Sequence, residues 1–528
     1  MALVVLGGAL LAVPGAGAAP PASGGAAVSP ARHDTSRPLR DLVPPPATAP
    51  PLALDPATDQ LVGRVVPVPD PVLQAATPGP ARLRVVHSYE GLGAGYPGFS
   101  SAALPPDPAG AAGRTQYVQW INGALLVLDK ATGAALLGPV PGNTLWAGFG
   151  GNCEARDAGD PIVSYDRFAD RWVLQQFVGV TEPYGQCVAV STTPDATGAW
   201  HRYGFTYAAL NDYPKVGVWS HSYVTTYEMF GAAELGPKVC AMNRAAMLAG
   251  AATTQQCFQL PAGSRLVLPA DAEGPVPPAP AADVPLVALG TDALLRYALH
   301  VDWANPALSA LSGPSPLAVA PFTMACGPLY DVASRNAASC IPQPDQPFGV
   351  GPVGLDPMSD RPMFRLAWRS FPGHDAMVVT HAVDVPLPVV SGVRWYELRS
   401  AGGPWAVHQQ GTYAPGGTAR WMSSAAMDRD GGIAVGYSRS GTTTYPGLAV
   451  AGRLAGDPPG TLSAETVVAA GAGSQLGASA LGRWGDYSSM TVDPVDDCTF
   501  WYTAEYQSAT GTFTWSTRIV AVRLPTCP

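Results

Sequence analysis

The chain has 528 residues, only 13% of them charged, and a formal net charge of −9. Without a long basic run, it lacks the cations that neutralise phosphates, which argues against nucleic-acid binding. Its 59 Gly and 56 Pro, with 13 Trp and 19 Tyr, suit many short strands joined by turns rather than long amphipathic helices.

The N-terminus, "MALVVLGGALLAVPGAGAAPPASG", pairs an apolar stretch from Ala2 to Val13 with small residues. It reads as a signal peptide over residues 1–19, which implies a secreted, extracellular protein. No other segment approaches membrane-spanning length, so no span is expected once it is removed. Residues 20–80 are dominated by Pro, Ala and Gly. They bury too little apolar surface to offset chain entropy and are expected to form an extended or disordered leader. The folded domain is placed at 81–528, opening with the strand-like "ARLRVVHSYEG".

From there the chain repeats. "LLVLDKATGAALL", "IVSYDRFADRWVL", "VGLDPMSDRPMFR", "AAMDRDGGIAVGY" and "MTVDPVDDCTFWY" each run an apolar strand into Asp129, Asp166, Asp356, Asp428 or Asp493. Four residues on stand Gly133, Asp170, Asp360, Gly432 and Asp497. Such an Asp accepts backbone N–H bonds inside its own turn, while Gly or Asp tolerates the left-handed far corner. Two degenerate units fit between Asp166 and Asp356. The fold expected is an all-β, seven-bladed β-propeller, with six blades the alternative. Residues 81–91 are expected to close the last unit beside residues 512–524, hiding an edge that would otherwise aggregate. The Pro-rich stretch 269–285 is expected to be a loop between units that overhangs one face.

Eight cysteines in a secreted chain point to disulfides. Sequence neighbours give Cys153–Cys187, Cys240–Cys257, Cys326–Cys340 and Cys498–Cys527, a preference that spacing alone leaves open. No CxxC, HExxH or G-x-S-x-G occurs, so a zinc site or a serine hydrolase has no support.

In a propeller the innermost strand of each blade starts at one face, so distant starts converge there. Three starts share a theme: "AGDPIVSYD" with Asp160, "LNDYPKVGV" with Asp212, and "RWGDYSSM" with Asp486. These acids, with Arg420 and Arg483, form the candidate catalytic set. Clustered carboxyls divide acid and base roles because like charges push their pKa values apart; the same oxygens are also of the kind that binds Ca²⁺. Lys215, Tyr213, Tyr487, Trp421 and Trp484 are the candidate ligand-binding residues, the rings offered to a sugar. Glu154 and Arg156, in "GFGGNCEARDAGD", join them as residues pinned nearby by a Cys153 disulfide. The competing reading is that such residues only cap loops and tie blades together.

At these Asp-turn hairpins, "DRFADRW" above all, the sequence resembles the sialidase-like, BNR-repeat (Asp-box) secreted bacterial β-propellers, in an uncharacterised subgroup. The resemblance implies a fold and an export route. Sialidase activity does not follow, because no Tyr–Glu couple is assignable beside Arg361, Arg365, Arg420 and Arg483. The expected function is binding of an extracellular polysaccharide or cell-surface glycan by a monomer at the channel face. The alternatives are a glycoside hydrolase or polysaccharide lyase using the same carboxyls, and a structural or adhesion module.

Overall fold

Short apolar runs ended by an Asp turn fold back on themselves. Asp129, Asp166, Asp428 and Asp493 each accept backbone N–H groups from the residues that follow, at 2.7–3.1 Å. Gly133, Asp170 and Asp497 take the left-handed corner, at φ 72°, 60° and 57°. In the fourth turn that corner falls on Gly431, not Gly432 (φ 78°). Asp356 departs from the pattern. It lies outside any hairpin, bonds the amide of Met358 at 2.8 Å, and is followed by a buried Asp360–Arg361 pair.

A computed structural model describes residues 22–23, 26–28, 30, 32–45, 67–74, 78–100, 103–327, 339–344, 354–386, 390–476 and 482–527. The expected signal peptide lies outside the described residues. The architecture is all-β and propeller-like. Seven strands each open an antiparallel four-strand meander: β1 (Ala109–Ala112), β2 (Ile162–Asp166), β3 (Leu210–Val218), β4 (Leu268–Glu273), β5 (Met363–Phe371), β6 (Ala419–Met427) and β7 (Ser489–Val492). β4 and β5 also pair in parallel, which merges their meanders into one nine-stranded sheet. These first strands are successive neighbours, and β7 returns to lie against β1. Aromatic side chains fill the space between adjacent sheets: Tyr117 of the first meander meets Trp501 of the last at 5.4 Å.

The last meander takes its fourth strand from the start of the chain. Arg84–Gly93 pairs antiparallel with Trp515–Arg523, as the sequence led us to expect. The leader corrects our expectation. Arg32–Thr35 adds a fifth strand beside Trp200–Tyr207, Asp34 pairs with Arg202 at 2.8 Å, and Leu39 is buried. Ala26–Val28 and Ala22–Ser23 extend the outer edges of the next two meanders. Exposed edge strands invite pairing with other chains, and the leader covers three of them. The stretch 269–285 is likewise corrected. Leu268–Glu273 is an inner strand and Val284–Gly290 its partner, so the Pro-rich loop lies within one meander.

All four disulfides join sequence neighbours: Cys153–Cys187, Cys240–Cys257, Cys326–Cys340 and Cys498–Cys527. They fit an oxidising, extracellular compartment. Among the described residues no helix is long and apolar enough to cross a membrane.

Candidate functional site

The chain enters its inner strands through backbone that most residues avoid. Asp107, Asp160, Tyr213, Met422 and Asp486 all have positive φ, between 48° and 58°. Aspartate tolerates this region through its short polar side chain, whereas Tyr and Met are strained there. Bulges follow in β3, between Asp212 and Lys215, and in β6, between Trp421 and Ser424. A bulge re-aims the side chains around it.

These entries bring several of the expected residues together. The Tyr213 amide donates to both Asp160 (3.1 Å) and Asp212 (2.9 Å). The Tyr213 hydroxyl donates to the backbone carbonyl of Asp486 at 3.0 Å, and the Tyr487 hydroxyl to that of Pro161 at 2.9 Å. Lys215 is buried, with its Nζ 3.3 Å from the Tyr213 ring centre and 4.0 Å from that of Tyr487. Arg483 pairs with Asp486. Side chains from opposite meanders thus meet across the ring of strand starts. Asp160 and Arg483 stay partly exposed, while Asp212, Asp486, Tyr213 and Tyr487 are buried.

The electrostatics centre on a residue the sequence reading missed. Asp107 is 2% exposed, and its carboxyl hydrogen-bonds that of Asp160. Burial pushes the Asp107 pKa well up, the charges of Asp486 and Asp160 push it further, and Arg483 opposes them. Burial lowers the Lys215 ammonium to about 8 against the pull of Asp160 and Asp107. Glu505 is pushed well up by burial, with Asp486 adding to the effect; it accepts the Gly485 amide at 2.6 Å. The cluster therefore holds protons at carboxyls and offers a weakly basic amine. The signal for Asp107 was legible: "PPDPAG" at 105–110 repeats the Asp-Pro of "AGDPIV" at 158–163.

Several expected residues belong elsewhere. Arg420 is buried against Glu465 at 2.9 Å and faces Tyr413 and Tyr437. Trp421 and Trp484 are sealed against each other at 5.7 Å, so neither offers a face to a sugar, and the enclosed rings of Tyr213 and Tyr487 are held by Lys215 instead. Glu154 caps its own loop through the amides of Gly148 and Gly150, and Arg156 binds the carbonyl of Thr181. Both serve the 148–182 loop region, not the cluster. Arg361 does lie at the cluster, its guanidinium 4.6 Å from the Tyr213 ring centre, but it is committed to Asp360 and Glu228, and Arg365 to Asp271 and Glu273, leaving no arginine triad among them for a ligand carboxylate. Tyr437 and Glu465 do form a couple at 2.9 Å, which ties the second strand of the sixth meander to the residue before its fourth. Among the described residues no group of three or more His, Cys, Asp or Glu has the arrangement to hold a metal ion.

No family model and no curated protein matches the sequence. Among solved structures the chain is similar to an endo-arabinase from Bacteroides thetaiotaomicron VPI-5482, at 10% identity and TM-score 0.28, over 69% of this chain and 93% of that one. It is similar to the polysaccharide lyase Uly1 at 8% identity and TM-score 0.36, over 81% and 91%. A point mutant of the NanB sialidase from Streptococcus pneumoniae gives 7% identity and TM-score 0.36, over 78% and 82%. The sialidase scores no higher than the lyase, so these likenesses do not single out the sialidase-like family, and at such values none assigns this chain a reaction.

Proposed function

We propose that the chain is a secreted, seven-bladed β-propeller, each meander one blade, that performs acid–base chemistry on an extracellular glycan at the mouth of its channel. One observation carries this reading: the hydrogen-bonded Asp107–Asp160 pair, in which the enclosed member keeps its proton to a raised pH while the other reaches solvent. Paired carboxyls with separated affinities for a proton are the recurrent basis of general acid–base catalysis. All eight cysteines are in disulfides, which leaves thiol chemistry aside, and glycoside cleavage runs on carboxyls alone.

The roles divide by position. Asp107 lies too close to Asp160 to flank a scissile bond with it, because glycosidase carboxyls stand about 5–9.5 Å apart. It is a positioning residue that tunes Asp160. Asp160 accepts from the protonated Asp107, which favours its charged form, and is the base; Asp486, paired with Arg483, and Lys215 are its charged neighbours. The enclosed rings disfavour the alternative of an aromatic binding platform at this mouth.

The test is incubation of the purified chain with neutral and acidic polysaccharides, following new reducing ends and the ultraviolet absorbance of unsaturated products. Turnover that falls by roughly 10²–10⁴ in Asp160→Asn supports the reading. Retention on a polysaccharide without turnover would replace it with a binding function, and neither retention nor turnover would remove the glycan altogether.

A further inference from the structure

β3 and β5 start beside the cluster and end at the other mouth; on β3 the four to six residues between Lys215 or Tyr213 and Trp219, at about 3.3 Å each, separate the two by roughly 13–20 Å. There the chain forms a cleft of about 340 Å³ under the Pro277–Ala279 arch. Trp219 and Trp368 pack edge to face at 5.1 Å, and Trp219 Nε1 anchors the arch by donating to the carbonyl of Ala282 at 2.9 Å. Trp405 lines the opening and is partly exposed. Asp283, Asp375 and Ser370 supply the polar lining.

Three features fix what fits. Among the described residues, the side chains of Trp368, Trp405 and Asp375 have no hydrogen-bond partner, so an indole donor and a carboxylate acceptor are available at the opening. Trp219 and Trp368 are only 2% and 3% exposed. Their ring faces are covered, which removes the aromatic cage that a quaternary ammonium requires. Two carboxylates and no Lys or Arg line the cleft, which repels uronates and sulfated sugars.

We infer that this cleft binds the non-ionic units of an oligosaccharide, with Asp375 and Ser370 taking hydroxyl groups and Trp405 covering one sugar ring. The volume lies at the lower end of ordinary ligand clefts, about 300–1,000 Å³, and suits one or two rings. The site stands on the opposite face from the proposed reaction and does not depend on it.

The test titrates the full chain with cellohexaose, maltohexaose and arabinohexaose, following tryptophan fluorescence and heat. Hexagalacturonate and tetramethylammonium are the charged comparisons. Binding of at least one neutral probe is expected, weakened roughly tenfold by Trp405→Ala and several-fold by Asp375→Asn. Asp160→Asn should leave it unchanged, which separates this face from the other. The inference is overturned if no neutral probe binds at millimolar concentration, if both cleft variants bind as the parent does, or if a charged probe is the one that needs Trp405. Circular dichroism of the variants checks folding, and Asp375→Asn serves should Trp405→Ala misfold.

Discussion

The hydroxyl of Tyr213 donates to the backbone carbonyl of Asp486 at 3.0 Å, so the third meander is tied directly to the seventh. Both groups are enclosed, and removing the donor leaves a buried carbonyl without its partner. Tyr213→Phe should therefore cost about 1–3 kcal/mol, seen as a lower thermal midpoint. The ring stays in place against Lys215. Activity should fall further than stability, because Asp486 loses the bond that fixes its backbone. An unchanged melting temperature would mean that the tie contributes nothing.

Asp107→Asn separates stability from function. The Asp107 carboxyl has a folded pKa raised above its unfolded value. Its stabilising contribution is therefore full below about pH 4 and lost as pH rises through the raised folded value. Asparagine suffers no such loss and can still donate to Asp160. The variant should thus be as stable as the parent or more so at pH 7, with the advantage fading toward pH 4, while turnover falls. Thermal midpoints at the two pH values give the sign. A variant destabilised at pH 7 would show that the ionised carboxyl supports the fold.

The elements that were legible in advance are those with a local chemical cause. The turns at Asp129, Asp166, Asp428 and Asp493 follow from a carboxylate bonding its own backbone, and the disulfides from pairing each cysteine with its neighbour in sequence. Convergence of Asp160, Asp212 and Asp486 was legible because all three open an inner strand. What failed was burial. Nothing local distinguishes Trp421 and Trp484, sealed between sheets, from rings facing a channel. Arg420 sits where Arg483 does in its own meander, yet the nearby Glu465 captures it. The leader read as disordered because a sequence shows its own poor apolar content but not the open sheet edges that pair with it.

The strand Arg84–Gly93 completes the last meander from the other end of the chain. Without it, Trp515–Arg523 becomes an uncovered, mostly buried-type edge, the kind that pairs with other chains. Deleting residues 81–94 alone, with the edge-covering leader kept, should therefore yield aggregated protein. A peptide spanning residues 81–94 supplied during refolding should restore soluble monomer, as read by size-exclusion chromatography. A soluble, monomeric deletion variant would show that the ring holds closed through its inner strands alone.

His381 should set part of the acid limit of the fold. It is wholly buried, stacked on Tyr396 at 5.6 Å and edge-on to Phe322 at 4.7 Å, with Nε2 2.9 Å from the Tyr396 hydroxyl. Burial, helped by the charge of Arg394, lowers its pKa to about 3. The unfolded chain binds this proton near pH 6.5, so stability is full above that value and lost as pH falls toward 3, by up to about 5 kcal/mol. Asp157, Asp384 and Asp428, each pushed up to about 6 by burial, tilt the other way over pH 6 to 4, so the parent curve understates the histidine. His381→Gln keeps a partner for Tyr396 without a proton to gain. Urea midpoints at pH 6.5 and pH 4 should fall less in the variant than in the parent, and an equal fall would show that His381 stays out of acid unfolding.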